Sequence, residues 1–126
     1  MKRYGILLVL LVLLGAFQVK SVKNYLSTGL ATWYDPHHTA SGEIYQKGQL
    51  TCAMRRKDFG KYYLVCNLEN DKCVEVRHND FGPSLYLFLM GRKIDLSREA
   101  FSKIADLEKG VIRVRIGEVY PGKVEE

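Results

Sequence analysis

Two short polar runs hold the residues best suited to chemistry. The first, His78-Asn79-Asp80-Phe81-Gly82-Pro83, follows the alternating segment Cys73-Val74-Glu75-Val76-Arg77 and closes in Gly-Pro. Proline fixes its own φ and biases the residue before it toward extended geometry. The pattern therefore sets Asp80 at a strand end, on a turn that holds its carboxylate still. The second run, Thr39-Ala40-Ser41-Gly42-Glu43, presents another carboxylate among small residues that leave room for a ligand. Together the two runs outline a cleft. A plainer reading stands beside each: Asp80 as an Asx-type cap of the strand end, and Glu43 as a solvated loop carboxylate.

Other polar residues are less committed. Asp35 precedes Pro36 and reads as a loop aspartate, with His37 and His38 solvated beside it. His78 is either a neighbour that orients Asp80 or a satisfied structural histidine. The spacing of these three histidines matches no metal-ligand pattern and no C-x-x-C pair is present, so neither a metal site nor a cofactor is expected.

These residues need a scaffold, and 126 residues with 47% hydrophobic content fit one domain with a modest core. Lys2 and Arg3 precede an unbroken apolar run from Gly5 to Phe17, which gives way to polar residues at Gln18. As a helix that run would span roughly 20 Å, short of the ~30 Å hydrocarbon core. Residues 1–21 are thus expected to be a signal peptide or, without a clear small-residue cleavage triplet, an uncleaved N-terminal anchor. No cysteine closely follows the run, so bacterial lipidation is not expected. Export to the periplasm, the cell envelope or the exterior follows, with residues 22–126 as the functional domain.

The leader also changes the charge balance. Of 19 basic residues it holds Lys2, Arg3 and Lys20, leaving 16 against 14 acidic ones, or +2. Nucleic-acid binding, which calls for a concentrated basic face, loses most of its support. The run Arg55-Arg56-Lys57 survives, either as a solvated loop or as a contact to an anionic polymer such as a cell wall.

Three cysteines suit an oxidising compartment and allow one disulfide. Tyr62 to Leu68 and Cys73 to Arg77 read as two strands joined by the turn Leu68-Glu69-Asn70-Asp71, which sets Cys66 opposite Cys73, Val65 opposite Val74 and Tyr63 opposite Val76. A cross-strand bridge would pin the hairpin leading into Asp80; alternatively all three cysteines are small buried hydrophobes. Elsewhere, Gly29 to Tyr34 and Leu50 to Met54 read as strands. Leu85 to Met90 is an apolar stretch of unsettled type that would suit the core. Ser97 or Asp95 caps a helix whose Ala100, Phe101 and Ile104 share a face and which stops at Gly110. Ile112, Val114 and Ile116 alternate in a last strand. Short strands with one or two brief helices indicate a small closed β-barrel, which removes exposed edges.

Five blocks, Gly29-Leu30-Ala31-Thr32-Trp33-Tyr34, Thr39 to Tyr45, Leu50-Thr51-Cys52-Ala53, Val76 to Pro83 and Ile94-Asp95-Leu96-Ser97, occur in the order and rough spacing of the rare lipoprotein A family, which this chain resembles. The resemblance spans about residues 29 to 119. It implies a mainly β, six-stranded double-psi β-barrel, related to expansins and barrel-type endoglucanases, and lytic transglycosylase activity on peptidoglycan glycan strands. Three positions depart from the family pattern: a histidine is replaced by Met54, the arginine of its N-D-R-G-P motif by Phe81, and a usual glycine by Asp35.

In the chemistry so implied, Asp80 protonates the leaving glycosidic oxygen, while the sugar's own 6-hydroxyl traps the oxocarbenium-like centre and gives a 1,6-anhydro product. Glu43 orients substrate or assists proton transfer. Trp33, Tyr34 and Tyr45 supply faces for pyranose stacking, with core packing as the alternative for Trp33, and Ser41, His78, Asn79 and Asp95 complete the expected substrate side. Asp95 alternatively braces the helix start. Two further readings remain: a non-catalytic, expansin-like glycan-binding or wall-loosening module, and an inverting polysaccharide hydrolase with Asp35 as base. The expected partner is peptidoglycan or a related wall polysaccharide bound by a monomer.

Overall fold

The computed structural model describes residues 22–120, with side chains described from Ser27 onward; the targeting segment expected at 1–21 lies outside them. Six strands, β1 (Val22–Tyr34), β2 (Thr51–Met54), β3 (Tyr62–Asn67), β4 (Cys73–Phe81), β5 (Arg92–Ser97) and β6 (Val111–Val119), close into a barrel in the order β1-β5-β2-β4-β3-β6. The pairs β1/β5 and β2/β4 are parallel and the others antiparallel. Among the described residues no helix is long and apolar enough to cross a membrane.

Period-two alternation fills the interior. Val65, Val76, Ile94, Leu96, Val114 and Ile116 are fully buried, as is Tyr63, whereas its neighbour Tyr62 is exposed. The β3–β4 hairpin pairs Val65 with Val74, Tyr63 with Val76 and Cys66 with Cys73. A disulfide joins Cys66 to Cys73 on the face turned from the core, and Cys52 stays buried as a free thiol.

One end of the barrel is plugged by α2 (Arg98–Ser102), where the Ser97 side chain accepts the Ala100 N–H as N-cap and Ala100 and Phe101 are buried. Ile104 follows on the same plug, and a single 3₁₀ turn, Leu107–Lys109, ends at Gly110. The helix is shorter than the sequence indicates, and its cap is Ser97, the last residue of β5, with Asp95 two residues further back in that strand. A second correction concerns Leu85 to Met90. It forms the five-residue helix α1 (Leu85–Leu89), capped by Ser84, with no buried residue, and Leu85, Tyr86, Leu89 and Met90 all face outward.

Strand limits also shift. β1 begins seven residues before the expected Gly29, and β4 runs past Arg77 to Phe81. Asp80 accordingly stands near the end of a strand and not beyond it.

Candidate active site

Asp80 owes its position to a break in the β2–β4 ladder. Cys52 pairs with His78 and Ala53 with Asp80, so β4 carries one extra residue, Asn79. Such a bulge re-aims the side chains on either side of it. Val74, Val76 and His78 point into the barrel, while Arg77, Asn79 and Asp80 turn toward the loop that carries Glu43.

That loop is a narrow excursion between β1 and β2. Thr39 N–H donates to the Glu43 carbonyl at 3.1 Å, Tyr45 N–H to His37 at 2.9 Å, and Gly42 N–H to Thr39 at 3.0 Å. Gly42 closes the turn at φ +91°, a left-handed conformation that glycine adopts without a Cβ penalty. Ser41 Oγ lies 2.9 Å from Thr39 Oγ1 and accepts the Glu43 N–H at 3.3 Å. The small residues of this run therefore build the turn, and the turn docks on β4 through Ser41 N–H to the Asn79 carbonyl at 3.2 Å.

Three donors converge on the Asp80 carboxylate. Oδ1 accepts the N–H groups of Ala40 and Phe81, each at 2.9 Å, and Oδ2 accepts the Tyr34 hydroxyl at 2.8 Å. Burial first, and then the bond to Asp80, push the Tyr34 phenol well above its ordinary value, so Tyr34 remains a neutral donor. Beside this group, Glu43 receives both terminal nitrogens of Arg77 in a forked ion pair, and Asn79 Nδ2 at 3.4 Å. The Arg77 guanidinium holds the Glu43 carboxyl below the usual carboxylate range, against the opposing effect of burial. Arg77 escaped the sequence reading. The signal available was its place two residues before Asn79, hence on the same strand face.

Beneath the carboxylates lies a buried tier. His78 is fully buried, tilted at 47° to the Phe59 ring 5.0 Å away and edge-on to Tyr63 at 6.1 Å, with Nε2 2.9 Å from the Asp80 carbonyl oxygen. Burial lowers its pKa, which keeps the ring neutral near pH 7. Asn79 is fully buried as well. Both were expected on the substrate side; in this conformation they lie under it and act by holding Asp80 and Glu43. Asp95, paired with Ala53 on the opposite edge of β2 from Asp80, accepts Thr32 Oγ1–H at 2.5 Å and Arg92 Nε–H at 2.8 Å.

The aromatics divide. Tyr34 belongs to the Asp80 cluster, whereas half-buried Trp33 packs on the core and donates its indole N–H to the Leu107 carbonyl at 3.0 Å. Tyr45 donates to the Gln49 carbonyl at 3.2 Å and, with exposed Asp35, lines a cavity of about 690 Å³ that also takes in His37, Lys47 and Arg98. Neither Asp80 nor Glu43 is part of the lining that Asp35 shares. Met54 pairs with Phe81 and packs in the core cluster. Among the described residues no group of three or more His, Cys, Asp or Glu is arranged to hold a metal ion.

Comparison with known proteins agrees with this architecture. A family model described as lytic transglycolase matches residues 26–116. The endolytic peptidoglycan transglycosylase RlpA of Haemophilus influenzae is 39% identical over 105 residues, covering 80% of this chain and 35% of the relative. The chain thus spans about a third of the length of the curated relatives it matches. Among solved structures, the Streptomyces papain inhibitor superposes with a TM-score of 0.63 at 24% identity, covering 79% of this chain and 97% of the other. An expansin of Clavibacter michiganensis does so at 0.61 and 18%, covering 76% and 51%. With the barrel closed and the family model covering most of the domain, this chain belongs to the lytic transglycolase family of double-psi β-barrels.

Proposed function

We propose that this domain is a peptidoglycan lytic transglycosylase with Asp80 as its general acid. The observation that carries the reading is the Asp80 carboxylate itself, fixed by Ala40, Phe81 and Tyr34 beside the ionised Glu43–Arg77 pair. Kinship with peptidoglycan transglycosylases supports the substrate class.

Protonated Asp80 gives its proton to the oxygen leaving C1 of a muramyl residue, and the C1–O bond breaks as positive charge develops at C1. The 6-hydroxyl of the same sugar attacks C1 and surrenders its proton to the Asp80 carboxylate, which restores the acid. Atoms balance without water: one glycosidic bond is exchanged for a 1,6-anhydro bond. Oδ2 accepts a single hydrogen bond, from Tyr34, and is the oxygen free to carry the proton. Glu43, kept anionic by Arg77, stabilises the developing cation electrostatically and orients the strand. The same reading places the protein in the exported cell-envelope space, acting as a monomer, with residues 1–21 as signal or anchor.

Mass spectrometry of products from purified, peptide-free glycan strands tests it. Fragments ending in 1,6-anhydro sugars are expected. New reducing ends would indicate hydrolysis, with Asp35 as candidate base. Binding without products would indicate a holding module, the outcome that Met54 at the family's histidine position favours.

A further inference from the structure

Outside the carboxylate site, helix α1 sets a run of large apolar side chains on the surface of the barrel. Leu85, Tyr86, Leu89 and Met90 are between 56% and 73% exposed, and Leu87 and Phe88, half-buried, form the inner side. Helical spacing sets Leu85 beside Leu89 and Tyr86 beside Met90. Met90 carries the apolar surface on into a shallow depression that Leu30, Leu68 and Arg113 also line. Large apolar side chains scattered singly on a surface need no explanation, whereas a cluster of them marks a contact with something apolar.

The charges around α1 are of one sign. No acidic residue lies between Asp80 and Asp95, while Arg92 and Lys93 follow the helix. Arg92 is paired with Asp95, but among the described residues no carboxylate is paired with Lys93 or Arg113. Glu69, which follows Leu68, is paired with Lys109. Lys93 lays its stem across β1 where Gly29 has no side chain to obstruct it, and sets its ammonium 3.9 Å from the centroid of the Phe88 ring. At the other end of the segment the Arg55 guanidinium lies 4.9 Å from the centroid of the exposed Phe81 ring. Aromatic rings thus hold cations at both edges of the apolar surface.

These features select among occupants. A second copy docked by two-fold symmetry would set the same cations against each other, with no acid on the patch to pair them. A protein partner is recognised through polar groups placed among the apolar ones, and from Leu85 to Met90 the one polar side-chain group is the Tyr86 hydroxyl. An anionic bilayer asks for apolar side chains that enter the acyl boundary, an aromatic hydroxyl at headgroup level and cations that reach the phosphates. We infer that α1 is a membrane-surface contact, inserting Leu85, Leu89 and Met90 into the interface of an anionic phospholipid bilayer with Lys93 and Arg113 on the headgroups. This contact needs neither the Asp80 chemistry nor a membrane-spanning segment.

The test places a fluorescent reporter on the patch of the full chain by Tyr86→Trp, with the parent, whose one tryptophan is half-buried Trp33, as background. Vesicles of mixed phosphatidylcholine and phosphatidylglycerol with brominated acyl chains should quench the reporter about twofold or more relative to unbrominated ones. Pure phosphatidylcholine vesicles, or high salt, should remove most of that quenching. Adding Leu85→Ser and Leu89→Ser, both exposed, should abolish it with the Tm unchanged, and adding Lys93→Gln and Arg113→Gln should bring anionic vesicles down to the neutral level. Insertion of the apolar N-terminal run elsewhere in the bilayer would bind the chain without quenching the reporter. A reporter quenched no more than the parent, equal quenching by neutral and anionic vesicles, or quenching that survives the two serines would each overturn the inference. So would a dimer seen by analytical ultracentrifugation without lipid and dissolved by the serines, since the patch would then belong to a second copy.

Discussion

Asp80 accepts two backbone N–H groups on one oxygen and a phenol on the other, so its substitutions separate architecture from chemistry. Asp80→Asn keeps an oxygen for the two N–H groups and should melt close to the parent. Asp80→Ala removes one of the links that tie the Thr39–Glu43 turn to β4, the acceptor of the Ala40 N–H, and should cost about 1 kcal/mol, read as a fall in Tm. His78 offers a second residue-scale test. Its pKa is lowered by burial, so the unfolded chain takes up the proton first, and stability present above the ordinary imidazole value is lost as pH falls below it. Thermal melts from pH 8 to pH 5 should show that decline, and His78→Gln should remove this part of the slope even if it melts lower throughout; an unchanged slope would refute the assignment. Asp80 and Glu43 were legible as carboxylates on a braced turn and in a small-residue run. Arg77 was not, because its bidentate partner lies 34 residues away in sequence and its place on the Asn79 face of the strand is the one local sign of it.

At the scale of elements, Ser97 joins three segments. Its hydroxyl donates to the Gln49 carbonyl at 2.9 Å and accepts the N–H groups of Thr51 and Ala100, linking the loop before β2, the strand itself and the start of α2. Ser97→Ala in this fully buried place should cost about 2 kcal/mol by urea titration, more than an exposed cap would. Reduction of Cys66–Cys73, which closes a loop of separation 7, should cost about 2.5 kcal/mol and lower the Tm while leaving the hairpin register intact. That register was legible because Tyr63 and Val65 alternate against Val74 and Val76 across a polar turn. The early half of β1 was not: it is interrupted by register shifts between Val22 and Asn24 and between Tyr25 and Ser27, which break the period of two. Helix α1 misled for a different reason. Five residues are too few to display a 3.6-residue period, and an apolar run without one is read as core.

For the molecule as a whole, barrel closure explains how so small a domain holds a fixed site. The order β1-β5-β2-β4 carries Tyr34, Asp95 and Asp80 on one run of consecutive strands, with β2 between the strands of Asp95 and Asp80, and the loop between β1 and β2 reaches Asp80 through the Ala40 N–H. The core beneath is continuous, so the carboxylates are supported from the opposite side of each strand. This closed framework was legible from the number of short alternating strands, whereas the pairing order was not, since parallel crossovers join segments distant in sequence. Asp80 as the acid is tested most directly by the rate at which Asp80→Asn releases 1,6-anhydro fragments from peptide-free glycan strands, measured alongside its melting temperature. A fall of about 10²-fold or more with melting close to the parent is the expected result. Release at the parent's rate by the equally folded variant would contradict it.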